Sequence, residues 1–285
     1  VSLEKDLSVL TKTTTFLVIM VIAFVFFFAG CSKSSKDGNA QSMRYIVTSD
    51  TILSGMVAAL LPPNRYSVEA MLPPGQCPGH YDVKLSDIEK MKRAALTLSF
   101  KGIPFMNKTV LEVRAQLLVD AEDRNWMVPD SYIYGLSLLA DGLSKHFPED
   151  RDEIMRRKND AIREVRAEAN TLTEKINKRG GIGKPVIASS MQKQTLHWMG
   201  FHVVGEYGRP EAISAREVVQ LSKIGKDQRV IAVVDNLQSG PDTGKGIAEA
   251  LGVPHIILTN FPSEEGYLVT LGENVNKMLS AVVQK

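Results

Sequence analysis

Two runs of alternating short apolar and amphipathic segments, divided by one long charged segment, constrain the fold of this 285-residue chain most. In the first run, Tyr45–Thr48 reads as a buried strand and is followed by a helical stretch through Leu61. Tyr66–Leu72 reads as a second strand, stopped by Pro73-Pro74-Gly75, because proline has no N–H for a ladder. Ser86 followed three residues later by Glu89 has the spacing of a capping box and predicts a helix start. Ala95–Phe100 is predicted as a strand, Thr109–Asp120 as a helix and Trp126–Val128 as a short strand.

The pattern then changes. Pro129-Asp130 opens a helix with Ile133, Leu136, Ala140 and Leu143 at helical spacing, interrupted at Phe147-Pro148. From Asp150 to Lys178 the chain is highly charged, yet Met155, Ile162, Val165, Ala169, Leu172 and Ile176 make a stripe spaced by three, four or seven. One helix of that length is roughly 40 Å long, the scale of a small domain. Gly180-Gly181-Ile182-Gly183 ends it.

Alternation resumes with strands at Pro185–Ala188, His202–Gly205, Val230–Val234 and His255–Thr259. Helices are predicted at Gln192–Met199, Ser214–Lys223 and Asp242–Leu251, and a last helix after the His255–Thr259 strand ends near Val283. The fold class that follows is α/β: two lobes, each a mostly parallel sheet flanked by helices, joined by one long rigid backbone helix. Ligands of such sheets sit beyond the carboxyl ends of the strands, so two facing sheets make a cleft. The sequence shows no internal repeat.

Ahead of this fold, Lys5 and Lys12 precede the apolar run Phe16–Ala29, 14 residues long. That is shorter than the roughly 20 residues of a membrane-spanning helix, and its flanks read as a signal peptide. Phe28-Ala29-Gly30-Cys31 resembles a lipobox, which makes Cys31 a lipid-attachment site; the alternative is an uncleaved anchor. The polar stretch after it reads as a flexible tether. The expected divisions are a signal peptide at 1–31, the tether at 32–43, an N-terminal lobe at 44–129, connecting helices at 130–181 and a C-terminal lobe at 182–285. The protein is then extracytoplasmic, held to a bacterial cell membrane by an N-terminal lipid. A net charge of +2 with interleaved signs gives no footprint for nucleic acid, and two cysteines exclude a disulfide framework.

Several segments together resemble the cluster A-I solute-binding proteins, the zinc and manganese receptors of ABC transporters. Met71-Leu-Pro-Pro-Gly75 followed by Ser86-Asp87-Ile-Glu-Lys-Met-Lys-Arg-Ala94 looks like that family's first ligand loop and following helix. Trp126-Met-Val-Pro129 is similar to its Trp-Leu-Asp-Pro segment. The resemblance implies two α/β lobes bridged by a backbone helix, an ABC permease and its ATPase as partners, a monomer, no enzymatic activity and a transition metal as cargo. The usual ligands are replaced: the three histidine positions fall on Gly79, Arg124 and Ser189, and the carboxylate position on Asn260. Arginine at a ligand position repels a bare cation, so a metal complex fits the substitutions better than a free ion.

Cys77-Pro78-Gly79-His80 places a thiol and an imidazole in one turn, both suited to zinc or softer ions, so Cys77 and His80 are candidate metal ligands. A turn with a buried cysteine is the plainer reading. Arg124, Ser189, Asp235, Asn236 and Asn260 sit at or next to predicted strand ends and, with Tyr81, are candidate contacts for an anionic or oxygen-rich ligand in the interlobe cleft. Gly240–Gly246 has one residue too few for a phosphate loop and reads as a loop and helix start. Other functions compatible with the fold are a receptor for a non-metal anionic ligand or haem-like cofactor, and an exported adhesin or enzyme.

Overall fold

The computed structural model describes residues 43–107 and 113–283. The signal sequence, Cys31 and nearly all of the tether lie outside the described residues, as does part of the 109–120 segment. Met43–Lys285 form one compact unit.

Two four-stranded parallel sheets organise it. The first contains β1 (Arg44–Thr48), β2 (Tyr66–Ala70), β3 (Leu96–Phe100) and β4 (Gln116–Val119), in the order β2-β1-β3-β4. The second contains β5 (Pro185–Ser189), β6 (His202–Tyr207), β7 (Val233–Asn236) and β8 (His255–Leu258), in the order β6-β5-β7-β8. The topology of the first lobe is thus repeated in the second, although the sequence carries no repeat. Helices α1 (Thr51–Leu60) and α2 (Leu85–Arg93) belong to the first lobe. Helix α3 (Pro129–His146) and helix α4 (Arg151–Lys178) connect the lobes. Helices α5 (Lys193–Trp198), α6 (Ala215–Gln228), α7 (Lys245–Leu251) and α8 (Tyr267–Val283) belong to the second.

Local chemistry explains the boundaries. The Asp50 carboxylate caps α1, accepting from the N–H groups of Ile52 and Leu53 at 3.0 and 3.1 Å. Complete burial of Asp50 raises its pKa. Every residue of β3 is buried, as expected where helices cover both faces of a parallel sheet. Helix α2 begins at Leu85, and the carboxylate that reaches back is Asp87 rather than Glu89. It accepts from the Lys84 N–H at 3.0 Å and the Tyr81 hydroxyl at 2.8 Å.

Two sequence expectations are corrected. Gln116–Val119 was predicted as helix but is a strand, paired with β3 from Thr97↔Gln116 to Phe100↔Val119. The free edge of β3 supplies a ladder that outweighs a local helical pattern. Trp126–Val128 is a turn rather than a strand. Asn125 holds it, accepting through Oδ1 from the Met127 N–H and through its carbonyl from the Val128 N–H. Trp126 and Met127 are buried in that turn and Val128 half-buried, with Trp126 stacked on Phe100 at 5.1 Å.

Helix α4 has 28 residues, about 42 Å. Ile154, Val165, Leu172 and Ile176 are its buried positions; Ile154 takes the place expected of Met155, which is half-buried. Asp152 and Glu153 in the first turn and Lys175 and Lys178 in the last match the helix dipole. Its start is tied to the first sheet, where buried Asp150 accepts from the Tyr66 hydroxyl at 2.5 Å and pairs with Arg65.

One continuous apolar cluster runs through both lobes, from Ile46 and Leu98 through Leu136, Val165 and Leu172 to Val186, Val234 and Leu271. The rings of Tyr132 on α3 and Tyr267 on α8 stack 3.7 Å apart, and the Tyr267 hydroxyl donates to the Met127 carbonyl. Burial raises the pKa of both phenols, which keeps them neutral. The lobes are therefore joined by packing as well as by the bridge helix.

Candidate interlobe site

The carboxyl ends of the strands in both sheets meet between the lobes. A cavity of about 390 Å³ lies there, lined by Asp123, Arg124, Asn125 and Trp126 after β4, Ser190, Met191 and Gln194 after β5, and Asn260 and Phe261 after β8. Three amide side chains sew its floor together. Asn125 donates through Nδ2 to the Met191 carbonyl at 3.0 Å and to Asn260 Oδ1 at 3.1 Å. Gln194 accepts from the Asn125 N–H at 2.9 Å and donates to the Asp123 carbonyl at 2.8 Å. Asn260 also donates to the Met191 carbonyl at 2.9 Å. The bonds of Asn125 and Gln194 run from the β4 loop of one lobe to the segments after β5 and β8 of the other.

Arg124 stands on the cavity wall. Its guanidinium gives two hydrogen bonds to Glu122, at 2.9 and 3.2 Å, and lies over the Tyr134 ring at 4.1 Å. Of the five N–H donors a guanidinium carries, three are left for a ligand. Glu122 and Asp123 both take positive φ, 47° and 55°, so the loop turns sharply just ahead of the arginine.

The other predicted residues are distributed around this cavity. Ser189 ends β5 in a buried position beside Ser190. Cys77 is half-buried and His80 exposed, on a short 3₁₀ turn in the loop after β2. They lie on the far side of the lobe interface, where Cys77 Sγ is 3.9 Å from a guanidinium nitrogen of Arg209. Gly79 sits against the same pair. Tyr81 packs edge-on against Phe105, and its phenol pKa is pushed up to about 12 by burial and by donation to Asp87.

Asp235 and Asn236 are interior. The Asp235 carboxylate accepts from the Tyr207 hydroxyl at 2.7 Å and the Gly244 N–H at 2.8 Å, and lies 2.7 Å from His255 Nε2. Burial and the neighbouring carboxylate raise the Tyr207 pKa well above its ordinary value. A side chain at Gly244 would collide with the Tyr207 hydroxyl, so this turn requires glycine. Asn236 accepts from Gln192 Nε2 at 2.8 Å and donates to Ser239 Oγ at 2.9 Å. Among the described residues, no three His, Cys, Asp or Glu side chains converge to hold a metal ion.

The structure thus brings Arg124 and Asn260 to one cavity, and Cys77, Gly79 and His80 to another part of the interface. Sequence reasoning missed Asn125, Gln194 and Phe261. Amides in loops leave no periodic signal; only their positions, just before Trp126 and within the helix after β5, could have pointed to them.

Two parallel-sheet lobes with a continuous bridge helix and a cleft at the strand ends define a two-lobed binding protein. The chain belongs to the ZnuA family, described as the periplasmic component A of a zinc-uptake complex, whose profile matches residues 46–281. The fold agrees with solved structures at low identity. A ZnuA crystal structure superposes with a TM-score of 0.71 at 14% identity, covering 84% of this chain and 99% of that one. The periplasmic zinc-binding protein TroA from Treponema pallidum gives 0.70 at 16%, covering 85% and 100%. A mutant of the laminin-binding adhesin Lmb from Streptococcus agalactiae gives 0.69 at 16%, covering 83% and 98%. No curated protein sequence matches. The family is one of solute-binding transport components found outside the cytoplasm, and no described helix is long and apolar enough to cross a membrane.

Proposed function

We propose that this protein is the substrate receptor of an ABC transporter, tethered through a lipid on Cys31, and that it delivers a metal-containing complex to its permease and ATPase. In this reading residues 1–31 are the signal peptide and lipobox, 32–43 the tether, 44–129 and 182–285 the lobes and 130–181 the connector. The observation that carries the cargo assignment is the lining of the cleft. Arg124, Asn260 and the amides beside them stand where the family resemblance expects metal donors, and a guanidinium with three remaining donors suits carboxylate or phosphate oxygens. A chelator brings such oxygens together with the metal.

Arg124 takes the negative charge of the complex, and Trp126 and Phe261 supply apolar walls. Ser189, Asn236 and Asp235 stand behind the cavity and shape it. Cys77 and His80, with Tyr81, are the candidate soft donors on the opposite side, next to Arg209. The test is to purify the protein from its own host and identify what accompanies it by metal analysis and mass spectrometry. A stoichiometric metal with an anionic organic partner supports the reading. Recovery of a bare metal ion, or of a metal-free ligand, contradicts it. Arg124→Ala is expected to weaken a metal complex about tenfold, the scale of one charge-assisted pair, and to leave thermal stability near that of the parent.

A further inference from the structure

The overall charge of +2 conceals a strong asymmetry. The end of α4 and the loop after it, 174–184, carry Lys175, Lys178, Arg179 and Lys184 against Glu174. The end of α6, 223–229, carries Lys223, Lys226 and Arg229 against Asp227. Seven cations and two anions give these two short segments +5, so the rest of the chain is −3.

The fold puts the two segments side by side. The Ile231 N–H donates to the Pro185 carbonyl and the His202 N–H to the Lys184 carbonyl, while the Val230 N–H closes back on the Gly225 carbonyl. Arg179, Lys184, His202, Lys226 and Arg229 are all exposed on this edge, at the amino ends of β5, β6 and β7 and opposite the cleft. Lys175 donates to Asn276, and Lys178 pairs loosely with Glu174 at 3.5 Å. Arg179, Lys184, Lys226 and Arg229 have no ion-pair partner among the described residues.

In the middle of the cations sits an exposed aliphatic side chain. Ile182 is 52% exposed, on a loop whose Gly180 and Gly183 take positive φ and leave open space where a Cβ would point. Cations around a bare apolar side chain match the headgroup layer of an anionic bilayer, which offers phosphate charge and an apolar interior within a few ångströms.

We propose that this edge of the C-terminal lobe is a docking surface for an anionic lipid bilayer. It does not depend on what the cleft binds. Arg44 at the start of β1 pairs with Glu149 just ahead of α4, so Arg44 and the cationic edge lie at opposite ends of the bridge helix. A cationic surface adds electrostatic attraction to whatever attachment a lipid gives.

The test uses residues 43–285, which form one compact unit with its own core. Co-sedimentation is measured with phosphatidylcholine vesicles, with and without about one-third phosphatidylglycerol. The protein is expected to bind only the anionic vesicles and to be released at about 0.5 M salt, where the Debye length is only a few ångströms. Lys178→Glu/Arg179→Glu/Lys184→Glu should lower the partition coefficient at least about tenfold, since each cation near such a surface contributes a several-fold factor. The same charge change away from this edge, on the N-terminal lobe and α3, Lys101→Glu/Arg114→Glu/Lys145→Glu, should lower it less than about threefold. Ile182→Ser should weaken vesicle binding but not binding to soluble polyphosphate. Absence of binding to anionic vesicles, equal loss in both triple variants, or an Ile182→Ser variant that binds vesicles like the parent would overturn the proposal. Melting curves of both triple variants identify any loss due to unfolding, and in that event Ile182→Ser alone decides.

Discussion

The two sides of the interlobe interface are built differently. Behind the cavity, at the carboxyl end of β7, each polar atom of Asp235 and Asn236 has an internal partner: Tyr207, Gly244 and His255 for the first, Gln192 and Ser239 for the second. Around the loop after β2, by contrast, Pro73 through Gln76 and His80 are exposed, and the cross-lobe contact of Cys77 is a long one to Arg209. One side is a rigid wall whose groups are spent on structure. The other has donors to spare. Burial with satisfied hydrogen bonds separates support from contact better than residue type does, because an aspartate that already accepts three hydrogens has little capacity left for cargo.

The contrast can be broken at its rigid side first. Asp235→Ala leaves the His255 ring, the Gly244 N–H and one bond of Tyr207 without their acceptor, and is expected to cost about 3–5 kcal/mol. His80→Ala, on the exposed loop, should change stability by less than about 0.5 kcal/mol. Urea denaturation of both variants checks the pair. Similar losses would erase the distinction between wall and loop.

The bridge helix comes next. Ala169→Pro removes a backbone donor and clashes inside α4, at an expected cost of about 3 kcal/mol. Because Val165, Leu172 and Ile176 pack into the shared core, the lobes' relative position should change as well, which X-ray scattering would detect. A smaller effect is expected from Asn125→Ala. It deletes the side-chain bonds to Met191 and Asn260 and should cost about 1–3 kcal/mol. Hydrogen exchange should rise in the β4 loop and the β8 loop together; a rise confined to one lobe would show that the amides do not couple the two.

The fold was legible in the sequence where periodicity carried it. The α4 stripe and the two βα runs gave the two-lobe architecture, with one register difference: Ile154, not Met155, is buried at the start of the bridge. It failed where pairing partners decide. Gln116–Val119 is a strand because the edge of β3 accepts it, and Trp126–Val128 is a turn because Asn125 holds it, neither of which is a property of the segment itself. The candidate site was legible in part. Arg124 and Asn260 do meet at one cavity, since both follow strands that end at the interface. Their separation from Cys77 and His80 follows from sheet order, which places β2 and β4 on opposite edges of the first sheet and cannot be read from spacing.

The central claim is that the cleft recognises a charged complex rather than a bare ion. Calorimetry on metal-stripped protein tests it most directly, titrating free zinc and the anionic zinc–nitrilotriacetate complex in parallel. Weak binding of the free ion, tighter stoichiometric binding of the complex, and loss of that difference in Arg124→Ala are expected. Tight, stoichiometric binding of free zinc, unaffected by Arg124→Ala, Cys77→Ser and His80→Ala, would contradict it.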